Sequence, residues 1–273
     1  MEEAVALEGA AMELHLSGRK AVVTGAGKGI GLAITQALAA EGVNVAAGSR
    51  HVTDELSQLA DEGLVHPVEV DLATADGPAR LVEAAVSAFG GIDVLVNNVG
   101  AVTPRTDGFQ SITDDEWLST LTVNFLSAVR VTRAALPYLL DGGEGAIVTV
   151  SSVNAVLPDP LVMDYSAAKA ALGNFSKCLS KELGPRGIRV NTVSPGPVAT
   201  ALWLSEDGMA ATVARTRGGE PSDVMKGVAS QSVTGQFTRP EEVADLVLLL
   251  SSSRAGNVTG SDFVIDGGLI STV

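Results

Sequence analysis

The chain has 273 residues, 46% of them hydrophobic, with 18 basic against 32 acidic residues and a formal net charge of −14. This length and apolar content exclude intrinsic disorder and fit one large α/β domain. The strong acidity argues against nucleic acid or an anionic membrane surface as a partner, because both repel a negatively charged protein.

Short apolar runs alternate with helical patterns along the chain. Strands are predicted at 21–24, 44–47, 65–70, 92–97, 145–150, 188–193 and 263–265, and helices at 30–40 and 77–89. The nearly continuous apolar runs at 92–97 and 145–150 are typical of strands covered on both faces of a parallel sheet. The alternation predicts an α/β fold, a single-domain doubly wound (Rossmann-type) parallel sheet of about seven strands with helices on both faces.

Two predicted helices begin with a capping box, in which a threonine caps the helix and a glutamate three positions on reaches back. The first box, at 113–116, opens a long helix towards Leu140, and Pro137 is expected to kink or stop it. The second box, at 238–241, opens a helix that runs through Leu250.

Two segments have no regular pattern. Residues 1–16 are acidic and contain no Lys or Arg, so we expect a loose N-terminal tail, with Met12 as a candidate initiator. The segment 200–236 is weakly helical and is interrupted by glycines and Pro221, which predicts a lid-like segment within a single domain spanning 17–273.

A glycine-rich turn lies between the first predicted strand and the first helix. It reads Thr24-Gly-Ala-Gly-Lys-Gly-Ile-Gly31. Glycines here let the backbone turn sharply and approach a pyrophosphate, which a helix N-terminus stabilises. The spacing is not G-x-G-x-x-G, because position 30 is Ile. Its place in the sheet favours a nucleotide site over a ligand-free turn.

Polar residues whose side chains could take part in catalysis follow later predicted strands. Tyr165 and Lys169 are spaced to share one helix face, where a nearby ammonium is expected to lower the phenol pKa and make it a usable acid or base. Ser152 follows the strand ending at Val150, a position typical of sites in parallel sheets, although also of a helix cap. Asn124 falls inside a predicted helix, which indicates either a role or a solvated face.

Together these motifs resemble the short-chain dehydrogenase/reductase family from about residue 19 to residue 268. Val99 stands where the family usually has Ala, a change that adds bulk but removes no polar group. The motifs that carry the resemblance are Thr24-Gly-x-x-x-Gly-x-Gly31, Asp71, Asn97-Asn-Val-Gly100, Asn124, Ser151-Ser152, Tyr165-x-x-x-Lys169, Ser194-Pro-Gly-Pro-Val-Ala-Thr200 and Asp266-Gly-Gly268.

The resemblance implies a dinucleotide-binding oxidoreductase that interconverts a ketone and a secondary alcohol by hydride transfer. Tyr165 would be the general acid/base, and Ser152 would polarise the substrate oxygen. Lys169 would lower the tyrosine pKa and bind the nicotinamide ribose, and Asn124 would hold a relay water. The implied cofactor-binding residues are Gly25, Lys28, Gly29, Ile30, Gly31, Ser49, Arg50, Asp71, Leu72, Asn98, Gly100, Tyr165, Lys169, Pro195, Gly196, Val198 and Thr200.

The end of the second predicted strand bears on which cofactor is used. An NAD-preferring site places an acid there to bind the ribose hydroxyls. This chain has Ser49 and Arg50 instead, and a guanidinium binds a 2′-phosphate well. With Lys28 in the glycine turn, the pattern favours NADP(H) over NAD(H). The alternative is that Arg50 stacks on adenine and Lys28 is solvated.

The substrate is expected to be a small ketone or alcohol with apolar bulk. Asn154 would bind one polar group or cap a turn. Three arginines, Arg105, Arg215 and Arg217, either meet an anionic substrate tail such as a carrier thioester or are solvated. The expected substrate residues are Val102, Ser152, Asn154, Leu157, Val162, Tyr165, Leu202 and Trp203.

Cysteine, histidine and hydropathy bear on location and partners. The single cysteine, Cys178, is expected to be a buried, inert thiol, and the three histidines have no metal-ligand spacing, so no metal is predicted. No apolar run reaches a membrane span and the start lacks a basic signal, so we expect a cytoplasmic protein. The resemblance implies a homotetramer packed through helices 113–140 and 165–183 and the last strand.

Two other functions remain open. One is a catalytically silent NADP(H)-binding regulatory protein, against which the complete set of four catalytic-type residues argues. The other is a dehydratase or epimerase that retains its cofactor, which the compact length disfavours. A serine hydrolase is disfavoured because the chain has no Gly-x-Ser-x-Gly elbow.

Overall fold

The computed structural model describes residues 12–272. Its strands all run parallel in one sheet, in the order β3-β2-β1-β4-β5-β6-β7. The predicted doubly wound sheet is therefore confirmed. The strands are β1 (Lys20–Thr24), β2 (Asn44–Ser49), β3 (Val65–Glu69), β4 (Val94–Asn97), β5 (Gly145–Val150), β6 (Ile188–Pro195) and β7 (Asp262–Ile265).

Helices connect the strands and cover both faces of the sheet. A π-helical segment, Thr122–Leu126, joins α4 to α5, so that the two form one rod. The helices are α1 (Gly29–Ala40), α2 (Asp54–Asp61), α3 (Gly77–Phe89), α4 (Asp114–Leu121), α5 (Ser127–Asp141), α6 (Met163–Leu183), α7 (Ala201–Leu204), α8 (Met209–Arg217), α9 (Pro221–Ala229) and α10 (Pro240–Ser251).

Alternation along the strands builds two cores. In β1, Val23 faces a cluster formed with α1 and α10, while Val22 faces a second cluster formed with α3, α5 and the end of α6. Successive side chains of a strand point to opposite faces, so each central strand contributes to both clusters. This burial holds the carboxyl ends of the strands at one rigid edge.

The strand order reverses between β1 and β4, because β2 and β3 lie on one side of β1 and all later strands lie on the other. A crevice outside the carboxyl ends of the strands forms at such a switch point. The glycine turn after β1, the Asn-Asn-Val-Gly turn after β4 and Ser152 after β5 all follow strands at this edge.

The helix boundaries confirm one capping box and correct the other. Thr113 and Glu116 form the predicted box at α4. The box predicted at 238–241 is wrong, because α10 has Pro240 as its first residue and Arg239 as its N-cap, with the reciprocal glutamate at 242. Pro137 lies inside α5 without ending it.

Two further features differ from the sequence prediction or extend it. Most of the predicted tail, 1–16, lies outside the described residues, but its last residue, Leu16, is 1% exposed and packs into the core. The segment 200–236, expected to be weakly helical, holds three short helices, α7, α8 and α9, and its role as a lid stays a prediction. At the outer edge of the sheet, β3 contains Pro67.

Candidate active site

The turn between β1 and α1 is compressed onto itself. Gly25 and Gly29 have φ of +67° and +55°, which side chains other than glycine rarely adopt. A Cβ on Gly31 would overlap the carbonyl oxygen of Gly25, and one on Gly25 would approach the Cα of Val99 to 3.0 Å. The turn thus presents bare backbone at the N-terminus of a 12-residue helix, which fits the pyrophosphate of a dinucleotide.

Thr24 and Asn98 hold this turn against the end of β4. The Thr24 hydroxyl accepts hydrogen bonds from the backbone N–H of Asn98 at 2.8 Å and of Val99 at 3.0 Å. The amide nitrogen of Asn98 donates to the carbonyls of Thr24 and Gly25 at 3.0 and 3.2 Å. This amide therefore shapes the glycine turn, and the cofactor contact implied for Asn98 stays a prediction.

The two basic residues expected at a 2′-phosphate lie on neighbouring loops. A Cβ on Gly27 would lie 3.1 Å from the Cβ of Ser49, so the glycine turn passes directly beside the end of β2. Thr53 ties the same loops together through a 3.2 Å hydrogen bond to the Gly27 carbonyl. Lys28 and Arg50 are both exposed beside this contact, where they are accessible to an anionic group.

Tyr165 and Lys169 come together on α6, next to the end of β5. Lys169 is 3% exposed, and its Nζ donates to the carbonyl of Val150 at 2.9 Å and lies 5.6 Å from the centre of the Tyr165 ring. Burial lowers the pKa of Lys169 to about 8. Neutral amine and charged ammonium are therefore both accessible near neutral pH.

The expected lowering of the Tyr165 pKa is wrong for the protein alone. Burial raises the pKa of the Tyr165 phenol, and hydrogen bonding with Ser152 opposes this with a smaller effect. The physical reason is that a phenolate, like any charged group, is disfavoured away from water. Ser152 is also the cap of a short turn, because its Oγ accepts from the backbone N–H of Asn154 at 3.1 Å.

Asn124 lies in the π-helical segment and is 1% exposed. Its Oδ1 accepts from the N–H of Ala101 at 3.0 Å, and its Nδ2 donates to the carbonyls of Ala101 and Thr120 at 2.9 and 3.0 Å. A Cβ on Gly100 would lie 3.1 Å from the Asn124 Oδ1 and 3.6 Å from the Lys169 Nζ. The structure thus brings Asn124, Gly100 and Lys169 together.

The segment after β6 returns over the glycine turn. Gly196 packs against β7, where its N–H donates to the Ile265 carbonyl at 2.9 Å, and Val198 pairs with Thr238. A Cβ on Gly29 would meet the Thr200 side chain at 3.2 Å. The start of the 200–236 segment therefore lies directly above the N-terminus of α1.

Asp71 and Leu72 lie after β3, apart from the Tyr165 group. Asp71 is exposed, and its Oδ1 accepts from the N–H of Ala73 at 2.9 Å. Leu72 is 4% exposed and its side chain packs in the second core cluster. Any contact of Leu72 with a cofactor would therefore use its backbone.

The substrate residues expected from the sequence divide into buried and exposed ones. Leu157 and Leu202 are exposed, while Val162 is buried at the start of α6. Trp203 packs edge-to-face on Phe237, with ring centres 5.5 Å apart. The amide of Asn154 donates to the Leu157 carbonyl at 3.2 Å, so the expected turn-capping role is present.

Two expectations about isolated side chains are wrong. Arg105 neither faces solvent nor remains accessible to an anionic tail, because Asp164 and Glu116 bind its guanidinium. Cys178 is exposed rather than buried, because it lies on the outer face of α6. Arg215 and Arg217 are exposed at the end of α8, and Arg215 lies 3.7 Å from Asp207.

Within residues 12–272, no group of three or more His, Cys, Asp or Glu side chains is arranged to hold a metal ion. Each helix in that stretch is too short or too polar to cross a bilayer.

The sequence prediction gave Thr24 no role beyond its place at the start of the glycine motif, and it missed Asp164. Asp164 lies immediately before Tyr165 in the first turn of α6, and acidic residues favour first turns because they meet the exposed N–H groups. That position was the available signal. The contact of Thr24 with β4 joins residues 74 apart in sequence and had no local signal.

The fold and the glycine turn define a Rossmann-type protein built to bind a dinucleotide, and comparisons identify its family. A family profile described as enoyl-(acyl carrier protein) reductase matches residues 25–270. The 3-oxoacyl-(acyl-carrier-protein) reductase FabG of Thermotoga maritima is 34% identical over 261 residues, which cover 94% of this chain and 100% of that protein.

Two more relatives have different substrates in their names. The 2,3-dihydro-2,3-dihydroxybenzoate dehydrogenase of Bacillus subtilis is 34% identical over 268 residues, 93% of this chain and 96% of that protein. The crystal structure of L-sorbose reductase from Gluconobacter frateurii, complexed with NADPH and L-sorbose, matches with a TM-score of 0.88 and 35% identity over 96% of this chain and 100% of that one. The chain belongs to the short-chain dehydrogenase/reductase family of oxidoreductases.

Proposed function

We propose that the protein is an NADP(H)-dependent oxidoreductase that interconverts a ketone and a secondary alcohol. The observation that carries the proposal is the meeting of Tyr165, Lys169 and Ser152 beside a glycine turn fit for a dinucleotide. Bound NADP(H) would supply hydride chemistry at its nicotinamide ring. The protein must then hold the carbonyl and move one proton.

Tyr165 is proposed to donate a proton to the substrate oxygen in reduction and accept it in oxidation. Its raised pKa keeps the phenol protonated at neutral pH, which suits a proton donor. Lys169, with a pKa of about 8, can return a proton to the phenol. Ser152 is proposed to hold the substrate oxygen by a hydrogen bond.

The relay role expected of Asn124 is proposed in a modified form. Its side chain is committed to the backbone of Ala101 and Thr120, so it has little capacity left for water. A π-helical segment displaces backbone carbonyls from regular pairing. We therefore propose that a relay water binds backbone groups of this segment and that the Asn124 side chain maintains the segment's shape.

Preference for NADP(H) is supported by Lys28 and Arg50, exposed on adjoining loops. The relative whose structure contains NADPH provides independent support. For the substrate, the exposed apolar residues Leu157 and Leu202 favour a ketone with apolar bulk. The family resemblance also leads us to propose a homotetramer.

Tyr165→Phe tests the catalytic assignment. With NADPH and a panel of ketones, wild type is expected to consume the reduced nicotinamide, and Tyr165→Phe to lose at least about a hundredfold in kcat, the scale of general acid catalysis. Tyr138→Phe is the matched control, since Tyr138 lies on the exposed face of α5 and should leave the rate unchanged. Tight NADPH binding without turnover of any ketone would favour the regulatory alternative.

Arg50→Asp tests the cofactor assignment. Loss of a charge-assisted contact to the 2′-phosphate is expected to reduce kcat/KM with NADPH by roughly 10- to 100-fold while NADH improves or is unaffected. Arg254→Asp makes the same charge change at another exposed position and should alter neither. Equal efficiency of wild type with NADH and NADPH would refute the preference.

A further inference from the structure

A polar cluster built around a buried ion pair, outside the predicted catalytic set, joins three segments beside Tyr165. We call it the Arg105 clamp: Arg105 from the loop after β4, Glu116 and Thr120 from α4, and Asp164 from the first turn of α6. The Arg105 and Asp164 side chains are 9% and 2% exposed. Ionised groups so far from water require close partners with good geometry.

The guanidinium of Arg105 binds both acids of the clamp. Its Nε and Nη2 donate to Oδ2 of Asp164 at 3.0 and 2.5 Å, and its Nη1 donates to Oε1 of Glu116 at 2.7 Å. Thr120 Oγ1 donates to the same Asp164 oxygen at 2.8 Å. Burial is the largest single influence on the Asp164 pKa and raises it, but the hydrogen bonds together lower the pKa below its ordinary value.

The clamp contacts the proposed catalytic residues through the backbone. Oδ1 of Asp164 accepts from the backbone N–H of Tyr165 at 3.0 Å. The N-cap of α6 is Val162, whose apolar side chain cannot cap, so Asp164 provides an acceptor for the first turn. On the α4 side, the Thr120 carbonyl accepts from the amide of Asn124 at 3.0 Å.

The loop after β4 is attached to α6 by the same arginine. The backbone N–H of Arg105 donates to the carbonyl of Leu161 at 2.7 Å, just before α6 begins. The loop is thus held by one backbone contact and by the Arg105–Asp164 ion pair. The partners of Arg105 in these two contacts, Leu161 and Asp164, both lie within four residues of Tyr165 in the sequence.

We propose that the Arg105–Asp164 pair is a positioning device that fixes the first turn of α6, so that the Tyr165 phenol stays against Ser152 and above Lys169. The inference rests on the proposed function, since positioning matters to turnover only if Tyr165 moves a proton. Arg105 and Asp164 are positioning residues, because they act through the backbone of α6 and not on the substrate.

Two substitutions test the clamp, each replacing a residue by one of similar size. Both are made in a Tyr138→Phe background, where Tyr165 is the only remaining tyrosine. Asp164→Asn removes the carboxylate charge, and Arg105→Met removes the guanidinium. Each is expected to lower kcat by about tenfold or more with a smaller change in KM, because misplacement by a fraction of an ångström reduces rate. The phenol pKa, read from phenolate absorbance, should fall towards its ordinary value of about 10 as water enters.

Arg189→Met is the matched control, since Arg189 is another partly buried arginine, which donates to the carbonyls of Leu250 and Ser252. It should reduce thermal stability without altering kcat or the phenol pKa. Arg105→Lys keeps the positive charge but loses the two-nitrogen contact to Asp164, so its kcat and phenol pKa should lie between those of wild type and Arg105→Met. It replaces Arg105→Met in the test if that variant does not fold.

One result overturns the positioning role: clamp variants that melt earlier, as Arg189→Met does, but keep the wild-type kcat and phenol pKa. If the wild type itself turns over no ketone, the proposed function fails separately. The phenol titration of the apo protein then decides alone whether the clamp positions Tyr165.

Discussion

At the scale of single residues, Lys169 shows how burial adapts a common side chain to the site. The ammonium is enclosed at the end of β5, where its contacts to protein are the Val150 carbonyl and the ring of Tyr165. Desolvation lowers its pKa to about 8, while the same desolvation raises that of Tyr165. The proton affinities of the two groups therefore diverge, so the ammonium is the more acidic group and can return a proton to a phenolate left when Tyr165 gives up its own.

Lys169→Met should change how stability depends on pH. The lysine pKa falls from 10.5 to about 8 on folding, so between these values the unfolded chain binds a proton that the folded chain has released. Wild-type stability should therefore rise across this window relative to the variant, by at most about 3 kcal/mol.

Urea unfolding of both proteins at about pH 7 and about pH 9.5 measures that difference. The comparison stops below pH 10, because Tyr165, with its raised pKa, contributes with the opposite sign at higher pH: the folded chain then retains a proton that the unfolded chain loses. Parallel pH profiles for the two proteins would contradict the assignment.

Side-chain neighbours were predictable from the sequence where they depended on local spacing. The Tyr165–Lys169 pair on one helix and the Ser152 cap are examples. The ion pair of Arg105 was not predictable, because its partner Asp164 lies 59 residues away and only the fold brings them together. The predicted direction of the Tyr165 pKa shift was wrong for the same reason, since burial depends on the whole fold.

At the scale of elements, strands were easier to predict than helix ends. Continuous apolar runs identified β4 and β5, because both faces of a parallel sheet are covered. The start of α10 was misplaced by one residue, because the Thr238 hydroxyl competes as a cap in the sequence pattern. Pro240 at the first helical position was the better signal, since its fixed φ and missing N–H suit that place.

Gly31→Ala should disrupt the turn between β1 and α1. The added Cβ would overlap the Gly25 carbonyl and approach the Asn98 side-chain nitrogen, so the loop must shift. We expect a loss of about 2 kcal/mol or more in stability, measured by urea unfolding, together with weaker NADPH binding.

The matched control for this turn is Gly227→Ala, because a Cβ there meets nothing within 4 Å and α9 is helical. That change should be neutral or stabilise by up to about 1 kcal/mol. Equal effects of the two substitutions would show that the crowding at Gly31 is not what requires glycine.

At the scale of the whole molecule, the net charge of −14 coexists with a basic pair, Lys28 and Arg50, beside the glycine turn. A local basic pair at a helix N-terminus can attract a phosphate despite an acidic surface, because salt limits the range of charge–charge interactions to about 10 Å. The overall acidity therefore predicts weak binding of large polyanions, but it does not decide whether a small phosphate-bearing ligand binds.

Ala170→Glu tests the proposed tetramer. Ala167 and Ala170 are exposed on α6 in the single chain, and small residues of this kind permit close helix approach. A charge placed between two such helices should shift the protein to smaller species in sedimentation velocity, because it would be desolvated. Ser57→Glu adds the same charge on exposed α2 and should have no effect. An unchanged oligomeric state in Ala170→Glu would rule out α6 as an interface.

The two edges of the sheet differ in how they meet other chains. Pro67 in β3 has no N–H, so that edge cannot extend a full ladder of hydrogen bonds to a foreign strand. The opposite edge, β7, has Val264 47% exposed and contains no proline. Edge-to-edge pairing is therefore less hindered at β7 than at β3. A subunit of the proposed tetramer packed against β7 would also block amyloid-like growth there.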